Sequence, residues 1–196
     1  MKSELKEKLS SLPNDFLPIE RFVNKYAERE SRIDNLGTIQ LAKNPEFTEA
    51  YFINLFEGAQ QLYFDNFLTQ YNHVIPEPIK SFLRIMNGFH FCDFNIYGLT
   101  PSLYKSTDGL LDRTVLQPLD IGTANEDWKH EFKRSDFHFG SRYFDDEQNC
   151  GYFLEGDIIR SCLTTGEVVG TWTNFSDFLT SELTTTEQNE TGLNNH

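Results

Sequence analysis

The sequence predicts an α+β fold, a mostly antiparallel sheet of about 4–6 strands packed with N-terminal and C-terminal helices. Three observations predict it. Apolar residues recur at helical spacing up to about position 87, alternate with a period of two from there to Trp172, and return to helical spacing after it. Helices first, then strands, then a closing helix is the order of an α+β domain with helices on one side of the sheet. The chain also carries 18 Phe, 8 Tyr and 2 Trp among 196 residues, enough aromatic area for one sizeable core.

Residues 15 to 32 read as a helix, with Phe16, Ile19, Phe22, Val23 and Tyr26 on one stripe, Asp15 as cap and Pro18 early in it. A turn follows at Asn35-Leu36-Gly37. Residues 48 to 71 carry the strongest helical pattern, from Phe52 through Leu55, Phe56, Ala59, Leu62 and Tyr63 to Phe67 and Leu68, with Gly58 as its weak point. A shorter helix spans 78 to 87, and Asn87-Gly88 ends it in preference to making a hairpin turn. From Phe89 to Gly98 one strand is expected, with His90, Cys92, Phe94 and Ile96 on one side. Residues 101 to 113 read as loop and Val115 to Leu119 as a short strand. A helix from Thr123 through Phe132 turns Glu126, Asp127, Lys129 and Glu131 to solvent.

Residues 136 to 172 read as a meander with strands at 137–139, 151–154, 158–163 and 168–172 and short turns at Glu155-Gly156-Asp157 and Thr164-Thr165-Gly166. Phe175, Phe178, Leu179 and Leu183 then form the stripe of a last helix. Three segments follow: an N-terminal helical extension over 1–46, a main domain over 47–183, and a disordered polar tail over 184–196.

The net charge is −13, and it is unevenly placed. Residues 1 to 46 hold 8 basic and 8 acidic side chains, while 47 to 196 hold 9 and 22. That sign disfavours direct nucleic-acid binding, whose affinity comes from phosphate neutralisation, and suits a basic protein partner. No run of about 18 apolar residues could span a membrane, and no apolar segment follows the charged start as in a signal peptide. Cys92, Cys150 and Cys162 are odd in number and widely spaced, which predicts reduced core thiols. Together these point to a soluble cytoplasmic protein.

The signatures of nucleophile elbows, phosphate loops and zinc sites are absent from the sequence. The nearest approach to a catalytic or metal site is His138 with Asp145, Asp146 and Glu147. Three consecutive acids point in different directions, so Asp145 to Asn149 reads as a polar turn. His138 reads as a strand residue on a half-polar face, and His90 as a core histidine on an apolar one. No catalytic residue, cofactor or metal is expected.

One pattern resembles a known family. Ile75-Pro76-Glu77-Pro78-Ile79-Lys80-Ser81-Phe82-Leu83-Arg84-Ile85-Met86-Asn87-Gly88 is similar to the SUKH (Smi/Knr-like) arrangement of a Pro, a short helix with Phe-Leu, and Asn-Gly. Phe94 to Leu99 looks like that family's strand leading to a glycine, Pro118 to Asn125 like its middle segment, and Phe139-Gly140-Ser141 through Trp172 to Phe175 like its ending. The resemblance covers about residues 50 to 183. Pro76, Asn87, Gly88, Gly98 and Trp172 are its structural motif positions. It implies a SUKH-like fold and an immunity protein that binds and neutralises a cognate toxin, often a nuclease, of a polymorphic or contact-dependent system. The alternative is a non-catalytic regulatory scaffold of the cell-wall-regulator type. The expected partner is a basic protein toxin, and monomer and homodimer both fit. The residues expected to meet it are Glu126, Asp127, Tyr143, Phe144, Asp145, Asp146 and Glu147.

Overall fold

Strand formation begins earlier than the sequence pattern suggests. The structure is a computed structural model that describes residues 7, 9–34, 36–43, 51–100, 117–143 and 149–193. A single antiparallel sheet runs through it as β1 (Ser31–Ile33), β2 (Ile39–Lys43), β3 (Tyr51–Glu57), β4 (Met86–Phe91), β5 (Phe94–Ile96), β6 (Phe137–Tyr143), β7 (Asn149–Glu155), β8 (Ile158–Leu163) and β9 (Val168–Trp172). Each strand pairs with the next in sequence, so the nine form an unbroken meander. The helices are α1 (Leu17–Asn24), α2 (Gln61–Tyr71), α3 (Glu77–Ile85) and α5 (Phe175–Leu193). Between α3 and α5 lies α4, built from Ile121–Thr123, a π-helical Ala124–Trp128 and Lys129–Glu131.

The expected 4–6 strands are therefore corrected to nine among the described residues. Two misreadings account for part of the difference. Residues 51 to 57 are a strand within the stretch expected to be helical from 48 to 71. Tyr51, Ile53 and Leu55 bury one side, while Asn54 and Phe56 are buried on the other. With both faces covered, polar alternation disappears and the run merges with the stripe of α2. Gly58 makes the break, because a Cβ there would lie 2.3 Å from the Arg84 carbonyl oxygen. The stretch 89–98, expected as one strand, is instead a hairpin. Phe91 pairs with Phe94 and His90 with Asn95, across a turn in which Cys92 has a left-handed φ of 51°. The turn moves Phe94 and Ile96 to the face opposite His90, where they join Phe89 and Phe91.

The N-terminal segment is not only helical, since β1 and β2 lie in it and extend the sheet. The polar end is not a disordered tail over its whole length either. α5 continues to Leu193, and Thr186 is buried against the sheet. Asn87-Gly88 neither caps a helix nor turns a hairpin. Both lie inside β4, with Gly88 at φ 82°. Of the expected strand at 115–119, residues 115 and 116 lie outside the described residues. Its described part makes no strand, and Gly98 instead bridges Asp120 in parallel.

The main core lies on one face of the sheet, under α1, α3 and α5. Phe16 stacks on Phe82 at 4.5 Å, Phe94 meets Phe178 at 5.9 Å, and Phe139 meets Phe175 at 5.5 Å. Trp172 extends this core, its ring 5.3 Å from Phe178. On the other face, Phe132 just after α4 packs with Phe153 and Cys162.

Candidate functional site

Cross-strand register assembles a polar row on the second face. Arg32 faces Gln40, Gln40 faces Asn54, Asn54 faces His90, His90 faces Asn95, and Asn95 faces Ser141. Gln40, Asn54, Asn95 and Ser141 are buried. Arg32 can only donate, and this sets the sense of the whole chain. Its Nε donates to Gln40 Oε1 (2.6 Å), Gln40 Nε2 donates to Asn54 Oδ1 (3.0 Å), and Asn54 Nδ2 donates to His90 Nδ1 (3.2 Å). His90 must then carry its proton on Nε2, which donates to the Cys92 carbonyl at 2.7 Å. Burial pushes the His90 pKa down, against the opposing pull of the Cys92 carbonyl and Asp93, in keeping with a neutral ring.

A second network meets the same turn from the other face. Arg142 is fully buried on β6. Its Nε donates to Glu182 Oε2 (2.9 Å) and Tyr152 Oη (3.2 Å), Nη2 to the Glu182 carbonyl (2.6 Å), and Nη1 to Asp93 Oδ2 (2.5 Å) and Thr186 Oγ1 (3.1 Å). The Tyr152 hydroxyl also donates to Glu182. Burial alone would lower the Arg142 pKa, but contact with Tyr152, Glu182 and Asp93 raises it by more. The Cys92-Asp93 turn thus ties both faces together. Cys92 accepts from the polar row, and Asp93 accepts from Arg142, Thr186 and Asn189. Sequence reasoning missed Arg142. The one available signal was an Arg in a strand between the small Gly140-Ser141 and an aromatic, which does not distinguish a buried side chain from an exposed one.

His138 is fully buried, not on a half-polar face. It stacks on Phe153 with centroids 4.5 Å apart and edges against Tyr97 and Phe132. Burial drives its pKa down to about 4. Gly151 leaves the ring room, since a Cβ there would lie 3.0 Å from His138 Nε2 and 2.8 Å from the Phe153 ring. Cys150 and Cys162 are buried free thiols and Cys92 is half-buried. Burial pushes the Cys150 thiol up to about 12, which leaves it protonated at neutral pH. Among the described residues no cluster of three or more His, Cys, Asp or Glu could hold a metal ion.

Three positions of the sequence pattern that carries the resemblance, Pro76, Asn87 and Gly98, act on the backbone. Pro76 precedes α3 at φ −55°. Asn87 clamps Leu99, donating from Nδ2 to its carbonyl and accepting its N–H at Oδ1, both at 2.7 Å. Gly98 is needed because a Cβ would lie 2.2 Å from the Asn87 carbonyl oxygen.

The expected partner residues separate. Glu126 and Asp127 are exposed on the π-helical turn of α4. That turn is pinned from beneath by Asn125, whose Nδ2 donates to the carbonyls of Ile121 and His138 and whose Oδ1 accepts the His138 N–H. Tyr143 is half exposed at the far end of β6. Five residue steps of strand from His138 to Tyr143 span about 17 Å, so β6 holds these positions apart. Phe144, Asp145, Asp146 and Glu147 lie outside the described residues.

Two further contacts fix the surroundings of Glu126. Asp120 caps α4 by accepting the Thr123 N–H at 2.6 Å, and it also accepts the Tyr71 hydroxyl at 3.1 Å. His73 Nε2 lies 3.0 Å from Glu126 Oε1. α2 and the residues after it are thereby fastened beside α4. No protein family, no curated protein and no solved structure matches the chain.

Proposed function

We propose that this protein is a cytoplasmic, non-catalytic immunity protein that binds a basic toxin and blocks it. The observation that carries the reading is the acidic pair Glu126-Asp127, exposed on a π-helical turn that Asn125 holds rigidly to the sheet. π-helical turns occur often at functional sites, and pre-ordered charge lowers the cost of docking. The confined acidity of residues 47 to 196 supports the same partner sign, since complementary fields speed encounter. The sequence resemblance to SUKH proteins supplies the toxin as the partner class. No helix among the described residues is long and apolar enough to cross a membrane.

Co-expression tests the reading. Each gene neighbouring this one is induced with and without this protein, and growth and complex formation are measured. Rescue by the wild type, weakened by Glu126→Lys/Asp127→Lys along with the salt dependence of association, is the expected result. Absence of rescue and of any complex would move the protein to the regulatory-scaffold class.

A further inference from the structure

Part of the exposed surface of α2 is apolar: Leu62 and Leu68 stand among Gln61, Asp65, Thr69 and Gln70. Leu62 is 59% exposed, Leu68 51%, and Val74, just beyond the helix, 79%. Leu68 and Val74 flank a cavity of about 110 Å³ floored by Phe64, Phe67 and Ile75. A drug-sized ligand takes a pocket of about 300–1,000 Å³, so this one suits a single anchoring side chain. The cavity does not stand alone. His73 also lines it and pairs with Glu126, while Tyr71 bonds Asp120 and its ring lies 2.1 Å from where a Gly122 Cβ would be. The apolar pocket and the Glu126-Asp127 turn are therefore one surface. Asp65 and Lys80, one of each sign, also line the pocket.

From this juxtaposition we infer that the pocket bounded by Leu68 and Val74 and the adjoining Glu126-Asp127 turn form one docking site for a polypeptide segment that carries an apolar anchor residue flanked by Lys or Arg. The inference rests on the reading of this chain as a binder of basic proteins and names the surface that does it. An exposed apolar patch beside fixed charge is the composition of an interface with a buried anchor and a polar rim. Charge chooses the occupant. Glu126 and Asp127 beside the pocket, with Asp65 offset by Lys80 in its lining, leave a net negative surface that favours a basic segment, and a second copy of this chain, at net charge −13, meets like charge there.

Two measurements test it. The first titrates the full chain, by 1H–15N NMR, with a nonapeptide bearing one Leu between lysines and with the same peptide carrying Ala for Leu. Shifts confined to residues 64–75 and 126–127, at least fivefold weaker binding of the Ala peptide, and a similar loss in Leu68→Ser/Val74→Ser are expected. Both side chains are half or more exposed, so the variant folds. Equal binding of the two peptides, or shifts elsewhere, overturns the site. So does self-association by sedimentation that the double variant abolishes, which would assign the patch to a second copy. The second measurement is toxin rescue by the wild type and by Leu68→Ser/Val74→Ser. Rescue by both sinks this surface and leaves the toxin reading standing. Failure of the wild type with peptide binding intact sinks the toxin reading and leaves the surface.

Discussion

Replacing Arg142 by Met is expected to destabilise the fold by about 3–5 kcal/mol, the usual cost of stranding the partners of a buried ion pair. Met matches much of the side-chain length, so lost packing contributes little. The cost arises because Glu182 keeps a carboxylate only 8% exposed with no cation beside it, and Asp93 loses the same partner. Urea unfolding followed by Trp fluorescence at pH 7 measures it, with the m-value checking that the unfolded state is unchanged. A double variant separates charge from packing. Pairing Arg142→Met with Glu182→Leu should recover much of the loss, since the charge is then gone. A cost below about 1 kcal/mol, or no recovery in the double variant, would refute the account of Arg142 as the charged tie between sheet and helix.

Four other outcomes follow from the same structure. His138 is held neutral, so its stabilisation is present above its unfolded pKa of 6.5 and lost as pH falls towards about 4; its full extent is about 3 kcal/mol, and His138→Phe should flatten that part of the stability–pH curve in urea titrations. Removing residues 184–196 should lower stability by about 2 kcal/mol, since the Thr186 hydroxyl lies in the Arg142 network, and differential scanning calorimetry should show Tm falling by about 4–8 °C where a disordered tail would leave it unchanged. Asn87→Leu strands the N–H and carbonyl of Leu99 and should cost about 2–4 kcal/mol in chemical denaturation, with wild-type behaviour in Asn87→Leu refuting the clamp. The His90 ring should show the Nε2–H tautomer in 15N NMR at pH 7, and the Nδ1–H form would break the donor chain from Arg32.

Where one face of an element is buried and the other wet, its period is visible in the residues. The strand at 158–163 and the start of the last helix at Phe175 show this, and the structure has them with the bounds expected. Sequence alone also determined the charge imbalance and the spacing of three free cysteines. Tertiary structure decided the rest. β3 is covered on both faces, so its apolar run carries no period that separates strand from helix. The hairpin between β4 and β5 turns on Cys92, a residue with no turn preference, held there by contacts from distant elements: Arg142 and Thr186 on Asp93, and a polar row that begins at Arg32. The last turns of α5 look like a polar tail because what orders them is a buried Arg forty-four positions earlier. The apolar pocket beside Glu126 was likewise invisible in the sequence. Leu68 read there as part of a core stripe, and only the packing of Tyr71 on Gly122 leaves it facing solvent beside the acidic turn. Local periodicity reports how one element meets its nearest layer. It carries no record of which distant side chains complete a network or leave a face uncovered.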